Sequence, residues 1–252
     1  MNVKLLAHTQ LSEEFYDTFD EYDDIFRYYG NKLDKMGVTD GQAVALTAIR
    51  TCYSANKPTE ILKKEGDKYF NRPATDGKGG TDADRLFRHI VSSGHLSTLE
   101  HLSFTFAIEG VSRALLAQLT RHRVGFSFSV QSQRYVRFGS DDKTGGFDYV
   151  VPPSVERNDH ARREYELAMI EIQNLYDELR FLGVPPEDAR FVLPQSATCN
   201  LVLTANLRAL LDFYSKRRKG RGAQWEIAEL AEKLRAAVVA VEPWTDAFFE
   251  QA

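Results

Sequence analysis

The chain has 252 residues, of which 43% are hydrophobic and 27% are charged, and its formal net charge is -4. These proportions are typical of a globular protein and argue against a disordered, collagenous or disulfide-stapled chain. Two cysteines, Cys52 and Cys199, are too few for a cysteine-rich zinc site. No apolar run reaches the ~20 residues that span a bilayer, and the N-terminus turns acidic too early for a signal peptide. We therefore expect a cytoplasmic protein with no membrane partner.

Hydrophobic periodicity predicts an α+β fold with much helix, in one domain over residues 1–252. The first 35 residues are predicted to form an acidic helical segment with Phe15, Phe19, Tyr22 and Phe26 on one face. A buried helix over 41–53 and a mobile loop over 63–84 are predicted to follow. The rest of the first half is predicted to contain a helix over Asp84 to Ser92, a strand over His101 to Glu109, and a helix from Ser112 toward Arg121. The second half is predicted to contain a strand over Phe147 to Val151 and helices over Arg162 to Leu182, Asn206 to Lys216 and Ala223 to Val241.

Basic residues are concentrated in two stretches that contain no acid. One runs from Gly110 to Ser140 and the other from Phe213 to Gly222, and together they hold ten of the 32 Lys and Arg residues. The rest of the chain is strongly acidic, so positive potential is focused, which suits a small polyanion better than a nucleic acid. The first stretch contains only Arg, whose planar fork matches phosphate oxygens in pairs.

Common cofactor and hydrolase motifs are absent from the sequence. The glycines of DGKGGTD (76–82) match neither G-x-G-x-x-G nor a phosphate loop, and neither G-x-S-x-G nor H-E-x-x-H occurs. His89, His95 and His101 recur every six residues, a spacing that does not align two imidazoles on one helix face. We therefore predict no Rossmann fold and no metal site.

The most informative segment is Arg121 to Tyr135, RHRVGFSFSVQSQRY. Nearly all of its polar side chains are donors or hydroxyls that can donate, which suits an anionic ligand rich in carbonyl and phosphate oxygens. The alternative is a solvated basic helix end followed by a polar strand. Against that alternative, Gln118 and Arg121 share a helix face, and Ser132 and Arg134 share a face if the chain is extended there.

Arg121-His122-Arg123 followed, after eight residues, by Ser132-x-Arg134 resembles the signature of the flavin-dependent thymidylate synthases. Other segments are similar to that family's landmarks and occur in the same order: ALTAIRTCYS (45–54), GHLSTLEH (94–101), Ala189-Arg190, Asn206-Leu207-Arg208 and AQWEI (223–227). The similarity extends from about Ala45 to Phe249, which is most of the chain.

The resemblance implies a fold of the family's own, with long helices around a central, mostly antiparallel sheet. It also implies a homotetramer whose sites lie where subunits meet. It implies methylation of dUMP to dTMP, with carbon from methylenetetrahydrofolate and electrons from NADPH through FAD. The implied FAD contacts are Ser97, Arg121, His122, Arg123, Val130, Asn206, Leu207, Arg208 and Asp212, with His95 beside the flavin and folate. The implied dUMP contacts are Gln118, Leu119, Thr120, Arg121, Val130, Gln131, Ser132, Gln133, Arg134, Arg190 and Arg217. Family members often have a neutral polar residue in place of Asp212, which leaves its role open.

The family's activating arginine is expected eleven residues after Asn206, at Arg217. Counting back from AQWEI favours Arg218 instead, and we choose Arg217 because the preceding helix sets its phase while loops absorb insertions. Uracil C5 is a poor nucleophile, and a guanidinium against O2 and N3 would stabilise the anion that develops when C5 attacks a one-carbon electrophile.

Several candidate residues have a second interpretation. Ser132 has no base beside it in the sequence, so we predict that it binds phosphate and is not a nucleophile. Cys52 lies in an apolar segment and is predicted to be a small buried hydrophobe, with Cys52→Ala remaining active. For His95 and His122 the alternative is a hydrogen-bonded structural histidine.

Two rival functions remain open at this point. The first is a nucleic-acid-binding module in which Phe126, Phe128 and Tyr135 stack on bases and affinity falls steeply with salt. The acidic remainder of the chain argues against it. The second is a degenerate relative of the family that binds nucleotide without catalysis, which the intact RHR and S-x-R elements disfavour.

Overall fold

An antiparallel sheet lies at the centre of the computed structural model, which describes residues 1–19, 33 and 36–251. Its strands are β1 (Asn2–His8), β2 (Ser103–Ser112), β3 (Phe126–Val130) and β4 (Thr198–Asn206), in the order β1-β2-β4-β3. Phe106 of β2 pairs with Leu203 of β4, and both side chains are fully buried. Alternate residues of these strands face the core because side chains in a strand point to opposite faces in turn.

Helices cover the sheet and account for most of the remaining described chain. They are α1 (Glu13–Phe19), α2 (Asp40–Thr51), α3 (Ile61–Phe70), α4 (Asp82–Ser92), α5 (Arg113–Leu119), α6 (Pro153–Glu156), α7 (Asp159–Phe181), α8 (Pro186–Ala189), α9 (Leu207–Arg217), α10 (Trp225–Val241) and α11 (Asp246–Gln251). Short 3-10 turns occur at Pro58–Glu60, Leu96–His101, Arg190–Val192 and Pro243–Thr245. The α+β class with a mostly antiparallel, non-Rossmann sheet is confirmed.

Two strands pass directly into helices through capping side chains. Ser112 ends β2, and its hydroxyl accepts a hydrogen bond of 2.9 Å from the Leu115 amide at the start of α5. Asn206 ends β4, and its side chain accepts a hydrogen bond of 2.8 Å from the Ala209 amide of α9. Such caps satisfy amides that the first helical turn leaves unpaired, so α5 and α9 begin at defined points beside the sheet.

The core has two parts. The larger lies between the sheet and helices α2, α4, α5, α9 and α10. A smaller cluster joins the segment after β3 to α7, where Phe138 and Ala189 pack on the fully buried Tyr176. The phenol of Tyr176 accepts a hydrogen bond of 3.2 Å from the Phe138 amide. This second cluster holds the segment that follows β3 against α7.

Most of the predicted helices are confirmed, but some expectations for the first third of the chain are wrong. Residues 2–8 form an edge strand and not a helix. Of the predicted aromatic face, Tyr22 and Phe26 lie outside the described residues. Residues 63–70 continue α3, where we expected a loop. Cys52 is exposed at the end of α2 and is not a buried hydrophobe.

The second half contains one wrongly predicted strand and two strands, β3 and β4, that were not among the predicted elements. Residues 147–151 make only an isolated bridge, between Tyr149 and Ala197, because the two prolines that follow limit further strand pairing. Of the two strands that were not predicted, β4 pairs with both β2 and β3. Its central position depends on partners far away in the sequence, which local periodicity does not reveal.

The loop at 71–81 is tied down by its own contacts. The Arg88 guanidinium makes two hydrogen bonds to the Asp76 carboxylate, at 3.0 and 2.9 Å, and another of 3.0 Å to the Gly79 carbonyl. The Ala74 amide donates to the Gly80 carbonyl at 2.9 Å. The glycines allow the loop to turn back on itself.

Candidate active site

The two acid-free basic stretches of the sequence meet in the fold. Arg217, in the last turn of α9, donates a hydrogen bond of 3.0 Å from Nε to Nε2 of His122. The His122 ring makes an edge contact with Phe213 at a centroid distance of 4.9 Å and lies 6.0 Å from the ring of Phe126. These contacts hold a half-buried imidazole between α9 and the first residue of β3.

The environment of His122 favours its neutral form. Burial is the largest cause that lowers its pKa below the usual 6.5, and the positive charges of Arg217 and Lys216 lower it further. Because the Arg217 Nε–H is the donor, Nε2 of His122 is the acceptor. The imidazole proton of the neutral ring is therefore on Nδ1.

Several cations around this contact have no acidic partner among the described residues. Arg121 and Arg123 are exposed on either side of His122, and neither makes an ion pair with a described residue. The cations that follow α9, which are Arg218, Lys219 and Arg221, likewise make no ion pair with a described residue. By contrast, Lys216 is paired with Asp212 at 2.7 Å. The result is a surface of uncompensated positive charge that suits an anionic ligand.

A cleft of about 800 Å³ opens beside the start of α9. The predicted cofactor residues Asn206, Arg208 and Asp212 line it together with apolar side chains that include Leu96, Val124 and Phe248. Leu207 is fully buried in the core, so its side chain is not available to a ligand. The volume and mixed lining are typical of small-molecule sites.

Two features of the cleft were not anticipated from the sequence. Glu100 lines it and forms an ion pair with Arg208. Gly125 has a φ of +74°, and a Cβ there would lie 2.7 Å from the Ala209 Cβ and 2.8 Å from the Asn206 Nδ2. Only glycine fits this close approach. Glu100 could have been predicted from the sequence because it is the glutamate of the G-H-x-x-x-x-E-H segment. Nothing in the sequence except its residue type indicates Gly125.

His95 and Ser97 lie in the turn before β2, next to cleft residue Leu96. Ser97 is exposed. His95 is partly buried, and its Nδ1 is 3.1 Å from the Tyr53 hydroxyl at the end of α2. His95 was a predicted site residue, whereas sequence reasoning did not single out its partner Tyr53.

The predicted phosphate-binding residues come together beyond the end of β3. Ser132 and Arg134 were expected to share a face only if the chain is extended there, and that condition is not met because residues 132–136 form a turn. In it, the Arg134 amide donates to the Ser132 hydroxyl at 3.2 Å. The Arg134 guanidinium pairs with Glu187 at 3.0 Å, and the Arg190 Nε donates to the Glu187 carbonyl at 3.0 Å. The turn thus brings Ser132, Arg134 and Arg190 into one region, and Glu187 is a residue that the sequence did not indicate.

The neighbours of Ser132 differ in how free they are to bind a ligand. The Gln131 amide and side chain are hydrogen-bonded to Asn200, at 2.8 and 3.2 Å. Gln133 is buried, and its Nε2 has no acceptor among the described residues. A buried donor without an acceptor is costly, which makes Gln133 a candidate to donate to a ligand oxygen. Val130 is the partly buried last residue of β3.

The predicted dUMP contacts at the C-terminal end of α5 are less available to a ligand than the residues of the Ser132–Arg134 turn. Leu119 is fully buried in the core. Thr120 donates from its hydroxyl to the Leu116 carbonyl at 2.9 Å, and Gln118 donates to the Ala114 carbonyl at 3.4 Å. The hydroxyl and amide donors of these two side chains are therefore partly satisfied within their own helix.

The two groups of predicted residues lie at opposite ends of one strand. The Arg121–Arg123 group precedes β3 and the Ser132–Arg134 turn follows it. Four residue steps at about 3.3 Å separate the ends by about 13 Å. The two groups therefore flank β3 at its opposite ends.

Known proteins share this architecture and sequence. The family model described as thymidylate synthase complementing protein matches residues 33–244. A flavin-dependent thymidylate synthase from Geobacter sulfurreducens is 41% identical over 204 residues, which are 81% of this chain and 80% of that protein. The chain belongs to the flavin-dependent thymidylate synthase family.

A second member of the flavin-dependent thymidylate synthase family, from Halobacterium salinarum, is 40% identical over 235 residues and covers 80% of this chain and 94% of that protein. Among solved structures, thymidylate synthase X from Helicobacter pylori, crystallised with FAD and dUMP, superimposes with a TM-score of 0.63. That match covers 100% of this chain and 98% of the other at 23% identity, so it concerns the fold. Within the described part of this family member, no helix has the length and apolarity to cross a membrane.

Proposed function

We propose that this chain catalyses the reductive methylation of dUMP to dTMP, with methylenetetrahydrofolate as carbon donor, FAD as cofactor and NADPH as reductant, in the cytoplasm. The observation that supports it best is the Arg217–His122 hydrogen bond of 3.0 Å. It brings the candidate activating arginine of one basic stretch onto the Arg-His-Arg signature of the other. Membership of the family supports the same reaction.

The residues beside α9 fit an anionic dinucleotide cofactor. The cleft supplies an apolar wall, a close backbone approach at Gly125 and the polar side chains of Asn206 and Arg208. Arg121 and Arg123 add positive charge for a diphosphate. When bound and reduced by NADPH, the flavin would supply the hydride that reduces the transferred one-carbon unit. We assign Ser97, His122 and Asp212 to the same cofactor.

The turn after β3 fits the phosphate of dUMP. Ser132 offers a hydroxyl, and Arg134 and Arg190 offer guanidinium groups near one another. Bidentate arginine contacts are well suited to a terminal phosphate. The Arg134–Glu187 pair is half-exposed, and such pairs contribute little to stability. A doubly charged phosphate can therefore displace Glu187 at low cost.

We assign the activation of the uracil ring to Arg217. Negative charge develops on the ring when C5 attacks the carbon donor, and a guanidinium already held in place stabilises that charge without reorganisation. The neutral His122 acceptor orients Arg217 without cancelling its charge, because an imidazole without its second proton accepts a hydrogen bond and carries no net charge.

A homotetramer, as the family resemblance implies, agrees with the placement of the two residue groups of one chain at opposite ends of β3. In an assembly, the Arg-His-Arg group of one copy and the Ser132–Arg134 turn of another complete a site together. Exposed large apolar side chains also favour assembly, since Val124, Tyr135, Phe181 and Phe191 are 80–91% exposed. Measuring the mass of the purified protein by light scattering tests this assignment.

The experiment that tests the proposal begins with the absorption spectrum of the purified protein. Flavin bands near ~450 nm that bleach under anaerobic NADPH, and faster with dUMP, are expected. A dTMP assay then compares Arg217→Ala with Arg218→Ala as its matched neighbour. Loss of a preorganised donor lowers turnover about 10²–10³-fold, so Arg217→Ala should retain flavin and lose activity. A colourless protein that takes up no FAD would refute the function, and loss only in Arg218→Ala would move the role to that residue.

A further inference from the structure

The contact between Tyr53 and His95 has no role in the reaction described above. Their rings lie edge to face with centroids 6.1 Å apart, and the Tyr53 hydroxyl is 3.1 Å from His95 Nδ1. Tyr53 is 61% exposed, so burial does not account for its position. No described residue makes a hydrogen bond with Nε2 of His95, which leaves that atom available to a ligand.

The segment that carries Tyr53 is held by a set of hydrogen bonds despite the exposure of the Tyr53 side chain. The amides of Tyr53 and Ser54 both donate to the Arg50 carbonyl, at 2.9 and 2.7 Å. Glu65 of α3 then gathers donors from this segment: Arg50 Nε at 2.6 Å, Asn56 Nδ2 at 2.9 Å, and the Ser54 hydroxyl. Burial raises the pKa of Glu65, but these hydrogen bonds outweigh it and the net pKa is lowered. The charged carboxylate therefore holds the turn that positions Tyr53.

The chemistry of the two rings gives the hydrogen bond a direction. A phenol O–H is a good donor, and an imidazole nitrogen is a more basic acceptor than a phenol oxygen. Tyr53 therefore donates to Nδ1, and the proton of the neutral His95 ring resides on Nε2. In this tautomer His95 presents a hydrogen-bond donor and has no free lone pair with which to act as a base.

We propose that Tyr53 is a positioning residue that fixes the tautomer of His95, so that His95 acts at the site as an Nε2–H donor. The consequence for catalysis rests on the proposed function, in which His95 lies beside flavin and folate. The assignment of the His95 tautomer does not depend on the proposed function. The ligand group that this donor recognises is a carbonyl or phosphate oxygen.

The first experiment measures the tautomer of His95 directly in the holoenzyme. The ¹⁵N chemical shifts of its ring nitrogens are recorded in wild type, Tyr53→Phe and the control Tyr149→Phe, at a pH where imidazole is neutral. Tyr149 is a suitable control because its hydroxyl makes no hydrogen bond with a described residue. We expect Nδ1 to change from a lone-pair nitrogen toward a tautomer average in Tyr53→Phe alone. Unchanged His95 nitrogens in Tyr53→Phe would overturn the proposal.

The second experiment measures the consequence in turnover. Tyr53→Phe should lower kcat/KM roughly three- to tenfold, as expected for one hydrogen bond, and Tyr149→Phe should leave it unchanged. His95→Gln places an amide donor near the position of Nε2 and should retain more activity than His95→Asn. Equal activities of His95→Gln and His95→Asn, or an unaltered kcat/KM in Tyr53→Phe, would contradict the donor role. If wild type forms no dTMP but the nitrogen shifts respond as expected, the proposed function fails and the positioning by Tyr53 stands.

Discussion

Gly41 lies in the first turn of α2 against a buried carboxylate, and replacing it should destabilise the protein strongly. Glu242 is 1% exposed and accepts hydrogen bonds from the Thr39 hydroxyl at 2.5 Å and the Trp244 Nε1 at 2.6 Å. Burial is the main cause that raises its pKa. A Cβ on residue 41 would lie 2.5 Å from the Glu242 Cδ and 2.7 Å from its Oε2, so Gly41→Ala must displace this carboxylate.

The expected magnitude follows from two costs. Forcing a side chain aside in a packed interior costs about 1–3 kcal/mol, and weakening a hydrogen bond to a charged group costs about 1.5–3 kcal/mol. Gly41→Ala should therefore lower the free energy of unfolding by about 3 kcal/mol. At about 2–4 °C per kcal/mol for a chain of this size, Tm falls by about 6–12 °C.

The matched control is Gly66→Ala in α3. The nearest atom to a Cβ on residue 66 is the Phe70 Cδ2 at 4.0 Å, so alanine fits there and its helix propensity should raise stability by about 0.5–1 kcal/mol. Both variants are unfolded in urea at one protein concentration, since assembly adds to apparent stability. A Gly41→Ala protein as stable as wild type, or one in which removing the Glu242 side chain has a purely additive effect, would refute the steric reasoning.

Three further predictions concern the site. Because the pKa of His122 is lowered in the folded state, the unfolded chain binds the proton more tightly, and stability should fall as the pH decreases below about 6.5. His122→Gln should flatten that slope in urea titrations at several pH values. Gly125→Ala should abolish FAD retention measured by absorbance, whereas Gly145→Ala, at a similar φ but with no atom within 4 Å, should keep it. Asn206→Ala removes the α9 cap and should cost about 0.5–2 kcal/mol in thermal unfolding, with Asn206→Asp largely restoring it.

Local sequence patterns were sufficient to predict the helices and strands whose structure is set by residues close to them in the sequence. The alternation of β2, the Ser112 cap and the periodicity of α9 and α10 each predicted the element within a few residues. Local sequence patterns failed to predict strands that form only by pairing with a strand far away in the sequence. β1 and β4 both depend on pairing with β2, and nothing near residues 2–8 in the sequence indicates that partner.

The sequence by itself determined the family, the α+β class and the chemical character of the site, because a basic, donor-rich signature is a property of residue types and their spacing. Only the tertiary structure decided which groups meet. His122 and Arg217 are 95 residues apart in the chain and 3.0 Å apart in space, and Tyr53 reaches His95 across 42 residues. Contacts of this kind form when buried helices and strands pack together, since the core that positions them is built from long-range burial and not from local preference.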